Sequence, residues 1–495
     1  MHNNNFPDAV DDELYDVAIV GYGPTGAVLA SLLAKSHLRV LLLEREDDIL
    51  ELPRAIRFDG ECMRLFQTIG IHERLSEQTA AAPGMKFLNA RGELLIEWER
   101  PLITGLHGWS DCYRVHQPDL ERILRENLRD RPGLTVCLSH ELYALEEHEN
   151  HVTLRYENRR NGQRLCGRAR YVVGCDGARS MIRRLIGSPL DDLNLHQRWV
   201  VVDLLLKQPM PHLGEYSIQY CDPKRPATYI CGAGERRRWE LMLMPEDDPV
   251  SVTTPEWIWS QLARWITPDE GRIERSAIYT FHAVIAQRWR KNRLFIAGDA
   301  AHQTPPFMGQ GMAAGLRDAA NLAWKLQAVL NDEAPDTLLD TYASERIPHV
   351  KTFVEGAVRF GEIIQAQRAN EKGGKHAIER YRTPEPLPGP GAYDAQPVPV
   401  TGRLAPQFIS ACGRRLDEIV GYRYLLLCLS GSKPSRVDAG VECIVADDGP
   451  AREWLNAFGA CAALIRPDRY LFGVATLPED ITPLLGRAFK AFRPS

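Results

Sequence analysis

Tyr15-Asp-Val-Ala-Ile-Val-Gly-Tyr-Gly-Pro-Thr-Gly26 is the stretch whose reading decides the fold. Its apolar run, Val17 to Val20, predicts a buried strand. Gly21, Gly23 and Gly26 follow at Gly-x-Gly-x-x-Gly spacing, and Ala27 to Ala34 then read as a helix. A second strand, Val40 to Leu43, ends in Glu44, 18 residues after Gly26. A glycine triplet alone is a weak signal, but one set between strand and helix and answered by an acid after the next strand is specific. Gly21 allows a tight turn, Gly23 lets the backbone approach a pyrophosphate, and Gly26 lets helix and strand pack closely. Glu44 can accept hydrogen bonds from a ribose hydroxyl and disfavours a 2′-phosphate. A glycine-rich turn with no ligand would leave the agreement of strand, spacing, helix and acid without a cause. The fingerprint by itself does not choose between dinucleotides.

Two further stretches have the same grammar. Leu294 to Ala297 form a short apolar strand that stops at Gly298-Asp299, and the chain runs on through Pro305, Pro306, Gly309 and Gly311. Leu316, Ala319, Ala323, Leu326 and Leu330 then recur at helical spacing. A helix start wrapped in glycines offers free N–H groups to an anion. Tyr171 to Gly174 form another strand, running into Asp176-Gly177, a turn dipeptide, with Ser180 and Arg183 beyond it.

The chain has 495 residues, enough for two or three domains, and its 44% hydrophobic and 25% charged content is that of a globular protein. The formal net charge of −5 argues against a general nucleic-acid or membrane-surface binder. The polar, acidic start, Met1 to Leu14, lacks the pattern of a signal peptide, and no apolar run reaches the roughly 20 residues of a membrane span. Eleven cysteines are scattered without a Cys-x-x-Cys pair or metal-ligand spacing, so reduced thiols in a cytoplasmic protein, and no metal, are expected. Prolines at 384, 386, 388, 390, 397 and 399 mark 383–402 as a stiff linker.

Taken together, GYGPTG at 21–26, DGARSMIR at 176–183 and GDAAHQTPPFMGQG at 298–311 resemble the class A FAD-dependent aromatic hydroxylases, over most of residues 15–360. Arg198 to Asp203, Cys221 to Pro226 and Arg237 to Pro245 are most similar to the 3-(3-hydroxyphenyl)propionate hydroxylases within that family. The resemblance implies an α/β fold: a Rossmann-like FAD-binding domain from 1–80, 105–190 and 286–375, and a β-rich substrate domain from 81–104 and 191–285. A degenerate thioredoxin-like domain, 403–495, would follow the linker. Gly402-Arg-Leu-Ala-Pro-Gln407 and Ile465-Arg-Pro-Asp-Arg-Tyr470 carry that last similarity. Without a Cys-x-x-Cys the tail is expected to pack or to form dimer contacts rather than to do redox chemistry.

Carried over by position, the resemblance places Gly21, Gly23, Pro24, Thr25, Gly26, Glu44 and Arg45 on the ADP half of FAD. Asp176 would touch both FAD and the nicotinamide cofactor, and Gly298 and Asp299 the ribityl and pyrophosphate region. Arg114 and Gln117 would flank the flavin chain with Arg54 near the cofactor, Pro305 and the turn Gly309 to Gly311 would lie against the isoalloxazine, and Met312 would also bind the cofactor. The family often has Asn where this chain has Ala313, so contact there would be by backbone.

The implied reaction begins with hydride transfer from a transient NADH or NADPH to FAD. Oxygen then forms a flavin C4a-hydroperoxide, which hydroxylates a phenolic ring, best matched by 3-(3-hydroxyphenyl)propionate or 3-hydroxycinnamate giving the 2,3-dihydroxy product. Other substituted phenols and polyketide aromatics remain open as substrates. Pro305 and His282, the latter on a predicted strand beside the flavin segment, are the candidate catalytic residues. His302 is expected in a structural hydrogen bond, and of Arg236, Arg237 and Arg238 at least one should face solvent. A halogenase would carry Trp-x-Trp-x-Ile, which is absent here. A flavin reductase or a non-catalytic flavin binder is the remaining rival, and a homodimer is compatible with the sequence.

Overall fold

The computed structural model describes residues 9–102, 104–368, 386–410, 412–437, 440–446 and 449–490. Parts of the domain expectations, at 1–8, 369–375, 383–385 and 491–495, lie outside them. Five strands form the parallel centre of the first sheet, in the order Leu134–Leu138, Val40–Glu44, Ala9–Val20, Arg164–Gly174, Leu294–Ile296. Val17, Ile19, Leu41, Leu42, Val172 and Val173 are wholly buried, as a parallel sheet covered on both faces requires. Consecutive strands Ala9–Val20 and Val40–Glu44 lie to one side, and Arg164–Gly174 joins on the other, so the strand order reverses at Ala9–Val20. Parallel strands share a carboxyl end. The fingerprint, Glu44, Asp176 and Gly298-Asp299 therefore gather at one edge, the crevice where such sheets bind ligands.

The second sheet has eight strands, ordered His302–Gln303, Gly271–Ala286, Leu190–Leu206, Arg236–Met242, Ala227–Cys231, Ser217–Cys221, Gly84–Asn89, Leu94–Glu99. One face packs Val200, Val202, Leu204, Trp239 and Leu241 against Ile258 and Leu262 of the helix Pro255–Leu262. Alternation sends Asp203, Arg238 and Glu240 to the other face, and they too are buried. Val284 pairs with Gln303 and Ile285 with His302, so this sheet is hydrogen-bonded directly to the segment after Gly298-Asp299.

The C-terminal unit is a four-stranded sheet ordered Val441–Val445, Tyr424–Cys428, Ala462–Ile465, Leu471–Ala475, with the helix Ile481–Lys490 packed on it. Leu426, Leu464, Phe472 and Leu484 belong to the same apolar core as the first sheet. The described part of the proline-rich segment is not a spacer. Gly389 donates its N–H to the Glu345 carbonyl, and Ala392 donates to Glu345 Oε1, at 3.0 and 2.7 Å. A Cβ at Gly389 would lie 2.1 Å from the Ser344 carbonyl oxygen, so glycine lets this strap press onto the helix Asp340–Arg368. Among the described residues no helix is long and apolar enough to cross a membrane.

Candidate active site

The fingerprint turn has the close approaches its glycines require. Gly21 has φ +105°, and a Cβ on Gly26 would stand 2.0 Å from the Gly21 carbonyl oxygen. A Cβ on Gly23 would meet nothing within 4 Å, which leaves the concavity ahead of the helix Pro24–Leu33 open to a phosphate. Glu44 braces the turn: it accepts the Tyr22 N–H at 2.7 Å and the Glu46 N–H at 2.9 Å, keeping further lone pairs for a ribose. Arg45 is exposed beside it and pairs with Glu46.

Asp176 Oδ2 accepts the N–H groups of Met181 and Ile182, while its buried Oδ1 has no partner among the described residues. Arg183 ties the two outer motifs together by donating to the carbonyls of Ala178 and Ala300, each at 2.8 Å. Gly298, at φ +63°, leaves room for Thr25, whose Oγ1 would be 2.6 Å from a Cβ there and 2.4 Å from one at Gly315. The first helix and the helix Gly311–Leu330 thus meet around one threonine.

Behind this seam Asp318 is fully buried and accepts from the Gly298 N–H (3.0 Å), His302 Nε2 (2.7 Å) and Arg346 Nε (2.8 Å). Burial alone would raise its carboxyl, but the charges of His302 and Arg346 override burial and hold it below the usual range. His302 is therefore structural, as the sequence led us to expect. Asp299, by contrast, is exposed just after the strand end.

Pro305 is buried, Gly309 has φ +65°, and Gly311 begins the 20-residue helix, with Met312 partly buried against the main core. Ala313 is wholly buried, so its side chain serves packing. Gln117 Oε1 accepts the Ala55 N–H and its Nε2 donates to Glu121, both at 2.7 Å, with Arg54 3.9 Å from Glu121. Arg114 turns instead toward the second sheet and donates to the Glu215 carbonyl at 3.0 Å.

His282 is not brought to this group. It contacts His196, Nδ1 to Nδ1 at 2.8 Å, and His196 in turn contacts Asp192, on an exposed surface. The adjacent Phe281 faces the other way, toward Phe307.

Sequence reasoning missed the inward face of the second sheet. Register pairs Trp199 with both Met242 and Tyr279, and Asp203 with both Arg238 and Arg275, so all of them share that face. Its aromatic end is Trp199, Phe281 and Phe307, in edge-to-face contact. Its charged end binds Arg238 Nε and Arg275 Nη2 to Asp203 at 2.7 and 2.9 Å, and Arg238 also donates to the carbonyls of Pro53 and Arg54. Burial raises the Glu240 carboxyl there, against the pull of Arg238. Only Arg238 of the three consecutive arginines is buried. The available signal was alternation around the buried Trp239.

These residues fit FAD: an open phosphate concavity at Gly23, an acid at the ribose position, the exposed Asp299 and a long helix starting beside them. The FAD binding domain family matches residues 14–357. A probable NADH-specific resorcinol 4-hydroxylase of Rhodococcus jostii (strain RHA1) is 33% identical, covering 97% of this chain and 95% of that protein. A 3-(3-hydroxy-phenyl)propionate/3-hydroxycinnamic acid hydroxylase of Burkholderia vietnamiensis (strain G4 / LMG 22486) is 32% identical, covering 97% and 96%. The crystal structure of the flavin-dependent monooxygenase PieE with FAD and substrate superposes with a TM-score of 0.82 at 22% identity, over 98% of this chain and 100% of that one, and so shares the fold. This chain belongs to the FAD-dependent aromatic hydroxylases.

Proposed function

We propose that the chain uses NADH and O2 to hydroxylate 3-(3-hydroxyphenyl)propionate or 3-hydroxycinnamate at the carbon between the hydroxyl and the side chain. One oxygen atom enters the ring, the other leaves as water, and NADH is oxidised to NAD+. Bound FAD supplies the hydride acceptance and oxygen activation. The chain's own residues hold the cofactor and orient the ring. Gly23 and the helix behind it would take the pyrophosphate, Glu44 the ribose, and Asp299 the ribityl chain. Pro305 and Phe307 would wall the ring and exclude water.

The observation that carries this reading is the gradient along the inward face of the second sheet, from Trp199, Phe281 and Phe307 to Asp203, Arg238 and Arg275. An apolar, aromatic end suits a benzene ring, and the charged end, where Asp203 already pairs with Arg238 and Arg275, suits the polar terminus of a side chain. The relatives named for 3-(3-hydroxy-phenyl)propionate support the same choice. FAD-loaded protein given NADH, O2 and 3-(3-hydroxyphenyl)propionate should form the 2,3-dihydroxy acid in step with NADH loss. Turnover of resorcinol with none of the acid would overturn the assignment in favour of the resorcinol-type relative.

A further inference from the structure

We propose that Arg57 is the side chain that recognises the carboxylate of the substrate. Arg57 lies on the short strand Arg57–Asp59, where Phe58 turns into the core and its neighbours turn away from it. Its Cβ would be 3.6 Å from a Cβ at Gly309, so it sits beside the glycine turn of the flavin segment. Its guanidinium reaches the second sheet and donates from Nη2 to Ser217 Oγ. It therefore spans the two layers between which a ring substrate must enter.

The decisive observation is the missing counter-charge. Arg64 pairs with Asp417, Arg238 with Asp203, Arg317 with Asp59 and Glu61, Arg346 with Asp318, and Arg466 with Glu345. Arg57 has no carboxylate within ion-pair distance among the described residues, and its buried Nε has no hydrogen-bond partner there. Burial, with Arg100 and Arg114 nearby, works against its charged form, and Cys112 and Glu240 only partly offset this. An unpaired guanidinium in such a place is costly unless a ligand supplies the anion.

The fingerprint and the helix beyond it already provide for the pyrophosphate at the carboxyl edge of the first sheet. Arg57 instead bonds Ser217 on the second, where the aromatic-to-charged gradient lies. The residue keeps partial exposure, as a ligand-facing side chain must. A carboxylate there would take a two-point pair from the guanidinium fork, which a lysine cannot reproduce.

This inference rests on the proposed acidic substrate, and the test separates the two. Holoenzyme with Arg57, Arg57→Gln or Arg57→Lys is assayed with 3-(3-hydroxyphenyl)propionate and with uncharged 3-ethylphenol, and flavin content is read from absorbance. Arg57→Gln should lower the ratio of kcat/KM for the acid over that for 3-ethylphenol by roughly 10- to 100-fold, the scale of a charge-assisted hydrogen bond. Arg57→Lys should fall between, and it serves alone if the glutamine variant does not fold. An unchanged ratio, or loss of flavin in either variant, would overturn the role of Arg57. If the unaltered enzyme hydroxylates 3-ethylphenol but ignores the acid, the acidic-substrate reading fails first and takes this one with it.

Discussion

Glu345 accepts two hydrogen bonds from Arg466, at 3.1 and 2.8 Å, and both side chains are fully shielded from solvent. Glu345 belongs to the helix Asp340–Arg368 and Arg466 to the C-terminal unit, so a buried ion pair crosses between them. Asp468, Lys325 and Asn321 complete the network. The C-terminal unit is consequently part of the body that carries the helix Gly311–Leu330.

Removing one member of such a pair strands a charge and costs about 3–5 kcal/mol. Arg466→Ala should lose that much in urea unfolding, followed by circular dichroism. A loss under about 1 kcal/mol, the range of an exposed pair, would show that the seam opens freely.

The same pair predicts an acid limit. Burial would raise the Glu345 carboxyl, but Arg466 and Lys325 overrule burial and hold it at about 2. A carboxyl depressed on folding contributes stability that is complete above its unfolded value, near 4.3, and is lost as pH falls toward 2. Stability of the unaltered protein should therefore fall across that window, and the slope should be shallower in Glu345→Gln. Equal slopes would remove Glu345 from the account.

The parallel sheet, with the fingerprint turn and Glu44 at one edge of it, was legible because Val17 to Val20, Gly21 to Gly26 and Glu44 are contiguous signals. The seating of 386–402 was not legible. Proline content reports stiffness, whereas Gly389 and Gly391, which permit contact with Ser344 and Glu345, look like ordinary linker glycines. Ile465 to Tyr470 was read as a family signature, yet its Arg466 and Asp468 are the buried counter-charges of a helix about 120 residues earlier. The structural hydrogen bond expected of His302 is made to the buried Asp318. Arg57 was invisible because an unpaired charge is a statement about what is absent in three dimensions.

The three glycines of the fingerprint should separate into two kinds. A methyl on Gly26 collides with the Gly21 carbonyl, whereas one on Gly23 enters open space. Gly26→Ala should reduce the melting temperature of the apoprotein by roughly 1–3 °C, the scale of 1–3 kcal/mol of overpacking in a chain this long. Gly23→Ala should melt as the parent does and yet retain little FAD after desalting. The reverse pattern would place the pyrophosphate elsewhere.

Asp299 and Ala313 offer a crossed comparison at the flavin end. Asp299 is exposed and its carboxylate has no hydrogen bond or ion pair among the described residues, so Asp299→Ala should leave apoprotein stability almost unchanged. It should weaken FAD binding about 10- to 100-fold, as loss of a hydrogen bond to a charged group does. Ala313 is wholly buried within the helix Gly311–Leu330, so Ala313→Gly should cost about 1 kcal/mol of stability. Its effect on FAD affinity should be smaller than that of Asp299→Ala, because any contact from 313 comes through the backbone. Flavin fluorescence titration of both apoproteins, with urea unfolding of each, measures all four quantities. FAD affinity that falls further in Ala313→Gly than in Asp299→Ala would mean that helix geometry, and not the acid, holds the ribityl chain.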